Sequence, residues 1–264
     1  MRLFLPAVLL FLLPIGVAGA GAPRPLVRAH AHNDYEHKRP LQDALDQGFC
    51  SVEADIYLIE GRLLVGHQAW ELKPDRTLQS LYLEPLKQRI AMNGGRVYRG
   101  GPTVTLMIDV KSDAASSYAA LRDVLKAYEP LLTVFHKDGS VEERAIRVVI
   151  SGNRDRRTMA AEDVRCAALD GRLDDLDADP SPAPSLVPWV SADWAKVFKW
   201  KGDGPIDPDD LAKLKQLVDK AHAQKRLIRF WDAPDNATAW KILYEAGVDL
   251  INTDDLAGLA KFLQ

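Results

Sequence analysis

The chain of 264 residues has only two cysteines, Cys50 and Cys166. Two are too few for a disulfide framework, so the fold has to rest on a packed core; both sit in apolar runs and read as buried free thiols. Neither sign of charge is in much excess, since 34 Lys and Arg face 37 Asp and Glu for a formal charge of −3. Without a basic surplus the balance gives no reason to expect a nucleic-acid partner. Beyond residue 17 no apolar run approaches the roughly 20 residues that a bilayer span needs. No Gly-x-Gly-x-x-Gly follows any β-like run, so the phosphate loop of a doubly wound open sheet is missing.

What is present begins with "MRLFLPAVLLFLLPIGVAGA". One Arg, an apolar stretch over 3–17 and a small-residue end at Ala18-Gly19-Ala20 predict a secretory leader over 1–20, cut after Ala20 or Ala22. The expected mature protein, 21–264, is then exported (secreted or periplasmic) and carries no transmembrane segment. Its 264 − 20 = 244 residues suffice for a barrel with a substantial core.

Eight short β-branched runs follow, at 26–30, 51–56, 103–110, 146–151, 165–170, 186–191, 226–231 and 248–254. Helical patterns separate them. In "IDPDDLAKLKQLVDKAHAQ" Asp207 is placed as N-cap and Pro208 as the first helical residue, with Leu211, Leu214, Leu217, Val218 and Ala221 on one face. "SSYAALRDVLKAYEPLL" has the same period, "VFHKDGSVEER" reads as a hairpin around Asp138-Gly139, and the acidic, proline-rich "LDGRLDDLDADPSPAPS" as a solvated loop or a lid. Strands alternating with helices predict parallel pairing, and eight such units predict a single (β/α)8 TIM-type barrel.

The active site of such a barrel lies at the carboxyl ends of its strands. There the chain has His30 and His32, Glu53 and Asp55, Asp109 and Lys111, Ser151 and Asn153, Asp170, Ser191, Arg229 and Trp231, and Asn252 and Asp254. Side chains alternate across a strand, so Glu53 and Asp55 aim at one side. Two carboxylates so placed repel unless a cation or a proton lies between them. With Asp109 from the next strand they form an oxygen-rich site for one hard divalent cation, Mg2+ or Ca2+; the competing reading makes them ion-pair partners of Lys111 and Arg229. His30, and His67 after the short return "GRLLVG", are suited to exchange protons at neutral pH.

The order of His30, "ALDQGFCSVEADIYLIEGRLLVGH" and "LMIDVK" resembles the glycerophosphodiester phosphodiesterase and phosphatidylinositol-phospholipase-C-like superfamily. "HAHNDY", "RTLQSLYLEPL", "VVISGNR", "LDGRL" and "GVDLINTDDLAGL" are similar to landmarks of its altered-inheritance-of-mitochondria group. The resemblance implies a metal-dependent phosphodiester hydrolase acting on small-molecule or lipid phosphodiesters. It makes His30 and His67 the acid–base pair, gives Glu53, Asp55 and Asp109 to the metal and Lys111 to the phosphate. Asn153, Arg229 and Trp231 would face the organic part of the substrate. The superfamily's His-Arg-Gly is replaced by His30-Ala31-His32 and its Pro-Glu-Asn by Pro40-Leu41-Gln42, so the phosphate-binding arginine is missing; the third acid is Asp109 where Glu is commoner.

Two competitors remain open. His30-x-His32 is also how an amidohydrolase-like enzyme holds a transition metal, although such sites draw further histidines from later strands, and only His136 and His222 are left. An exported binding protein that kept the barrel and lost catalysis is the other. The residues do not set the oligomeric state.

Overall fold

The computed structural model describes residues 23–264. The leader expected at 1–20 lies outside them. The strands are β1 Leu26–Ala31, β2 Phe49–Ile59, β3 Arg62–Val65, β4 Val104–Val110, β5 Val134–His136, β6 Val141–Glu142, β7 Ile146–Gly152, β8 Val164–Arg165, β9 Ala168–Gly171, β10 Trp189–Asp193, β11 Leu227–Trp231 and β12 Leu250–Thr253. The helices are α1 Gln42–Asp46, α2 Glu84–Met92, α3 Ala114–Lys126, α4 Arg156–Ala161, α5 Trp194–Val197, α6 Pro208–Ala223, α7 Ala237–Ala246 and α8 Leu256–Leu263.

Parallel pairing runs β1-β12-β11-β10-β9-β7-β4-β2 and closes through β2 on β1, an eight-stranded parallel barrel. All eight expected runs supply its staves. β3 turns back antiparallel on β2, and β5 and β6 form the hairpin expected around Asp138-Gly139. The fifth unit departs from a regular β/α repeat, because β9 is followed by a single 3-10 turn and a loop instead of a helix. Pro180, Pro182 and Pro184 account for this: proline supplies no N–H and forces the residue before it out of the helical region. That loop is no free lid. Arg226 at the foot of β11 donates to the backbone of Asp175, Pro182 and Val187, and Arg165 to Ser185 O at 2.9 Å, so the loop is tied down toward the opposite end of the barrel from the active site.

Apolar side chains fill two layers. The barrel lumen holds Met107, Val149, Trp189 and Leu250, and the larger core lies between staves and helices. α6 starts where read, with Asp207 accepting from Asp209 N and Pro208 in the first turn, and it buries Leu214, Val218 and Ala221 while Leu211 and Leu217 are half-buried. Cys50 and Cys166 are free, the first buried and the second partly so. No helix among the described residues is long and apolar enough to cross a membrane.

The turn after β1 is fastened by a buried carboxylate. Asp34 Oδ2 accepts from Leu41 N at 2.5 Å and from Tyr82 OH at 2.9 Å, while Oδ1 has no partner. The bond to Leu41 holds a non-glycine residue at φ +65°, in the left-handed region. Burial pushes the Asp34 carboxyl up to about 6 from 3.8. A carboxyl raised on folding takes up a proton as the chain folds, so its contribution to stability is complete below about pH 4 and lost as pH rises through 6. Asparagine can keep both accepted bonds and never ionises. Between pH 4 and pH 7, denaturant unfolding should show Asp34→Asn gaining roughly 2–3 kcal/mol on the wild type. A difference independent of pH would mean that Asp34 ionises as an ordinary surface acid does.

Candidate active site

Register sets the site. Asp55 on β2, Asp109 on β4 and Ser151 on β7 stand side by side across the ladder, with Glu53 two residues below Asp55 on the same face. Carboxylate oxygens of Glu53, Asp55 and Asp109 all lie within 4.8 Å of one another, the one such group of potential metal ligands among the described residues. Gly152 permits the arrangement: it sits at φ +67°, and a β-carbon there would come within 2.0 Å of Asp109 Oδ1.

Ion pairs form around the acids, as the competing reading expected. Lys111 Nζ lies 3.1 Å from Asp55 Oδ2 and 3.3 Å from Asp109 Oδ2, and Arg229 Nη2 lies 3.4 Å from Glu53 Oε2. Two cations against three acids leave one negative charge uncompensated. Asp55 Oδ1 and Asp109 Oδ1 are buried with no partner at all. Burial, then the charge of Glu53, pushes Asp55 up to about 6, and burial raises Asp109 as well. Buried orphan oxygens with no nitrogen or sulfur donor among them fit a hard divalent cation. They do not fit the histidine-rich centre of an amidohydrolase-like enzyme. His136 and His222 are spent elsewhere, on Glu142 at 3.0 Å and Asp249 at 2.8 Å.

Beside the acids a cavity of about 340 Å³ opens at the carboxyl ends of the strands. His32, His67, Glu53, Asp109, Lys111, Arg229 and Trp231 line it, together with Asn33, Ser151, Arg172 and Asp232. Most of the expected site residues are therefore brought together. Asn153 is not: it faces away, its amide donating to Ser112 O at 2.9 Å and Lys111 O at 3.3 Å, which braces the turn behind Lys111.

The histidine expected as proton carrier on β1, His30, lies beneath the cavity and is fully buried. Its Nδ1 meets Ser51 Oγ at 2.7 Å and its Nε2 meets Glu53 Oε2 at 3.1 Å, so neither nitrogen is left for a substrate. Burial, with Arg229 nearby, pulls its pKa down to about 4. A neutral His30 then accepts from Ser51 and donates to Glu53. Glu53 stays ionised, at about 2, because Arg229 and His30 outweigh the cost of its burial.

Its neighbour His32 does face the cavity. His32 Nδ1 lies 2.9 Å from Asp254 Oδ1. Burial works against its charged form, but Asp254 and Glu53 outweigh it and raise the pKa. On the other side, His67 Nδ1 lies 3.1 Å from Tyr35 OH and 3.3 Å from Asp55 Oδ2. Tyr35 OH gives its proton to Asp55 Oδ2 at 2.7 Å, so its oxygen accepts from His67 Nδ1–H, which leaves the lone pair on Nε2. Tyr35 has no mark in the sequence; a buried tyrosine in a 3-10 turn is revealed only by what it touches.

Residues 24–168 match the family described as the AIM6-like phosphodiesterase domain, and residues 228–257 match the glycerophosphoryl diester phosphodiesterase family. The chain is 30% identical over 270 residues to altered inheritance of mitochondria protein 6 of Eremothecium gossypii, spanning 90% of this chain and 69% of that protein. It is 27% identical over 259 residues to the homologue in Arthroderma benhamiae, spanning 87% and 82%. Among solved structures it shares its fold with a glycerophosphodiester phosphodiesterase of Agrobacterium tumefaciens, at TM-score 0.51, 15% identity and coverage of 90% and 99%. It shares it also with an Oleispira antarctica phosphodiesterase in complex with the product sn-glycerol-3-phosphate, at TM-score 0.54, 15% identity and coverage of 89% and 96%.

Proposed function

From the premise that the chain belongs to the family of AIM6-like phosphodiesterase domains, we propose that it is a metal-dependent phosphodiester hydrolase, acting on glycerophosphodiester- or phosphoinositide-like substrates with His32 and His67 as its acid–base pair. The observation that carries this reading is one cavity lined by two histidines, two of the three clustered acids and three cations at the carboxyl ends of the barrel strands. The size suits a small diester or the headgroup of a lipid. The product in the Oleispira antarctica structure is in keeping with such a substrate.

Glu53, Asp55 and Asp109 would hold the cation, Mg2+ or Ca2+, which when bound supplies charge neutralisation at the phosphate oxygens. The remaining chemistry falls to the chain's own groups. Lys111 and Arg229 add positive charge where the phosphorus becomes five-coordinate. His67 Nε2 takes the proton of the attacking hydroxyl as its oxygen bonds to phosphorus. His32 gives its proton to the departing alcohol oxygen as the second P–O bond breaks, because an unprotonated alkoxide leaves poorly. Asp254 favours a charged His32 before the step, which suits the acid. Trp231 gives the organic part of the substrate an apolar wall. Export belongs to the same proposal and rests on the leader over 1–20.

The attacking hydroxyl is proposed to be the substrate's own. One cation with two proton carriers can serve an internal attack, and a tethered nucleophile gains from proximity. Protein exported by a host from the full chain should have an intact mass that starts at residue 21 or 23. With Mg2+ or Ca2+ it should turn over a glycerol-containing diester far faster than the deoxy analogue, with a cyclic phosphate visible by phosphorus NMR. Equal rates and no cyclic species would mean that water attacks directly, and no turnover of any diester would leave the family's fold in a binding role.

A further inference from the structure

The superfamily's phosphate-binding arginine, which follows the strand-one histidine, has no equivalent in this chain. Ala31 is fully buried in the outer core, and the Asn33 side-chain amide lies 2.8 Å from Tyr35 OH. Neither is a cation, and a diester's phosphate needs one that keeps an open edge outside the acidic cluster. The cations lining the cavity are Lys111, Arg172 and Arg229. Lys111 is shared between Asp55 and Asp109, and Arg229 is paired with Glu53, so both are tied to the acidic cluster. Arg172 stands apart from it.

We propose that Arg172 is the residue that grips the substrate phosphate, supplied from the end of β9 in place of an arginine on β1; this rests on the phosphodiesterase reading above. In the barrel order β9 lies four strands from β1 in either direction, so Arg172 approaches the cavity from the side opposite His32. Its guanidinium is held from behind. Nη1 donates to Asp170 Oδ2 at 2.8 Å and to Gly171 O at 2.8 Å, and Asp170 is itself buried and fixed by Ser151 Oγ at 2.7 Å. Nη2 has only a long contact of 3.4 Å with Ser151 Oγ. The side chain remains 38% exposed at the cavity. A planar fork fastened on one edge and open on the other is the geometry that meets two phosphate oxygens at once. Gly171 allows the approach, since a β-carbon there would come within 2.5 Å of Val187 and 2.9 Å of Asp175 Oδ2. Asp170 and Ser151 thereby act as positioning residues.

The test compares Arg172→Met and Arg172→Lys with the wild type in the full chain, reading calorimetric binding of inorganic phosphate, KM and kcat for a glycerophosphodiester, and Mg2+ affinity. Losing a charge-assisted pair should weaken phosphate binding and raise KM about tenfold or more in Arg172→Met, with Arg172→Lys in between and Mg2+ affinity unchanged. A folded Arg172→Met that binds phosphate as the wild type does overturns the proposal, and so does a wild type that binds no phosphate. Should the Met variant not fold, Arg172→Lys carries the test alone: weakened phosphate binding supports the assignment and wild-type affinity overturns it. Phosphate binding needs no turnover. A wild type that hydrolyses no diester, with phosphate binding still lost in Arg172→Met, would remove the proposed reaction and leave the anion site standing.

Discussion

His32→Ala and His67→Ala should each lower turnover by about 10²–10⁴-fold, the usual contribution of a general acid or base, with the fold and Mg2+ affinity preserved. Both side chains stand at the cavity, and neither belongs to the acidic cluster. His30→Ala should behave differently. It removes a fully buried ring that rests against Trp189 and donates to Glu53, so it should lower the unfolding midpoint and weaken the divalent cation, and lose activity through those effects. Supplying excess cation should then recover part of the activity of His30→Ala and none of that of His32→Ala. If His32→Ala keeps near-normal turnover while His30→Ala, fully folded and saturated with cation, does not, the proton carrier is the buried histidine and the assignment to His32 fails. Asp254→Asn offers a finer check. The carboxylate that helps raise His32 would be gone, so the alkaline limb of the pH–rate profile, where the general acid loses its proton, should move to lower pH.

The different placements of His30, beneath the cavity, and His32, facing it, show where strand parity stops informing. Along β2 alternation holds, and Glu53 and Asp55 fall on one face as expected. β1 ends at Ala31, however, and the chain turns at Asn33 with φ +46°. His32 is thus the first residue past the strand, where neither a period of two nor of 3.6 says which way it points. The eight staves were legible because each is a short run with an apolar centre, β-branched in all but 165–170, and α6 because Asp207-Pro208 marks its start to the residue. Arg172 was hidden for a different reason. It lies one residue past β9, in a unit whose helix the prolines remove, and its worth at the cavity depends on Asp170 and Ser151, which come from two different strands. Asn153 shows the converse: a polar residue at a strand end that serves the backbone behind Lys111.

Glu53→Gln, Asp55→Asn and Asp109→Asn should each abolish most of the stabilisation that Mg2+ or Ca2+ gives the wild type. A ligand that binds only the folded state adds about 2.7 kcal/mol at a hundred times its dissociation constant, so the wild type's unfolding midpoint should climb with cation concentration and that of each variant should hardly move. The expectation follows from the charge count at the site, three acids against Lys111 and Arg229, and from the two carboxylate oxygens, Asp55 Oδ1 and Asp109 Oδ1, that no protein group satisfies. Asp55→Asn should separate this account from one in which the acids are merely structural. Burial and the charge of Glu53 disfavour the Asp55 carboxylate, so replacing it by an amide removes repulsion as well as the bond to Lys111. Without added cation, this variant should therefore unfold at about the wild-type midpoint or above it, whereas ion pairs acting as structural struts would make it clearly less stable. Turnover should fall with cation binding in all three variants, and added cation should restore least in Asp55→Asn, because Asp55 also holds Tyr35 and His67. Unchanged Mg2+ and Ca2+ affinity by calorimetry in all three folded variants would take the metal out of the site and leave Lys111 and Arg229 as the countercharges of the acids.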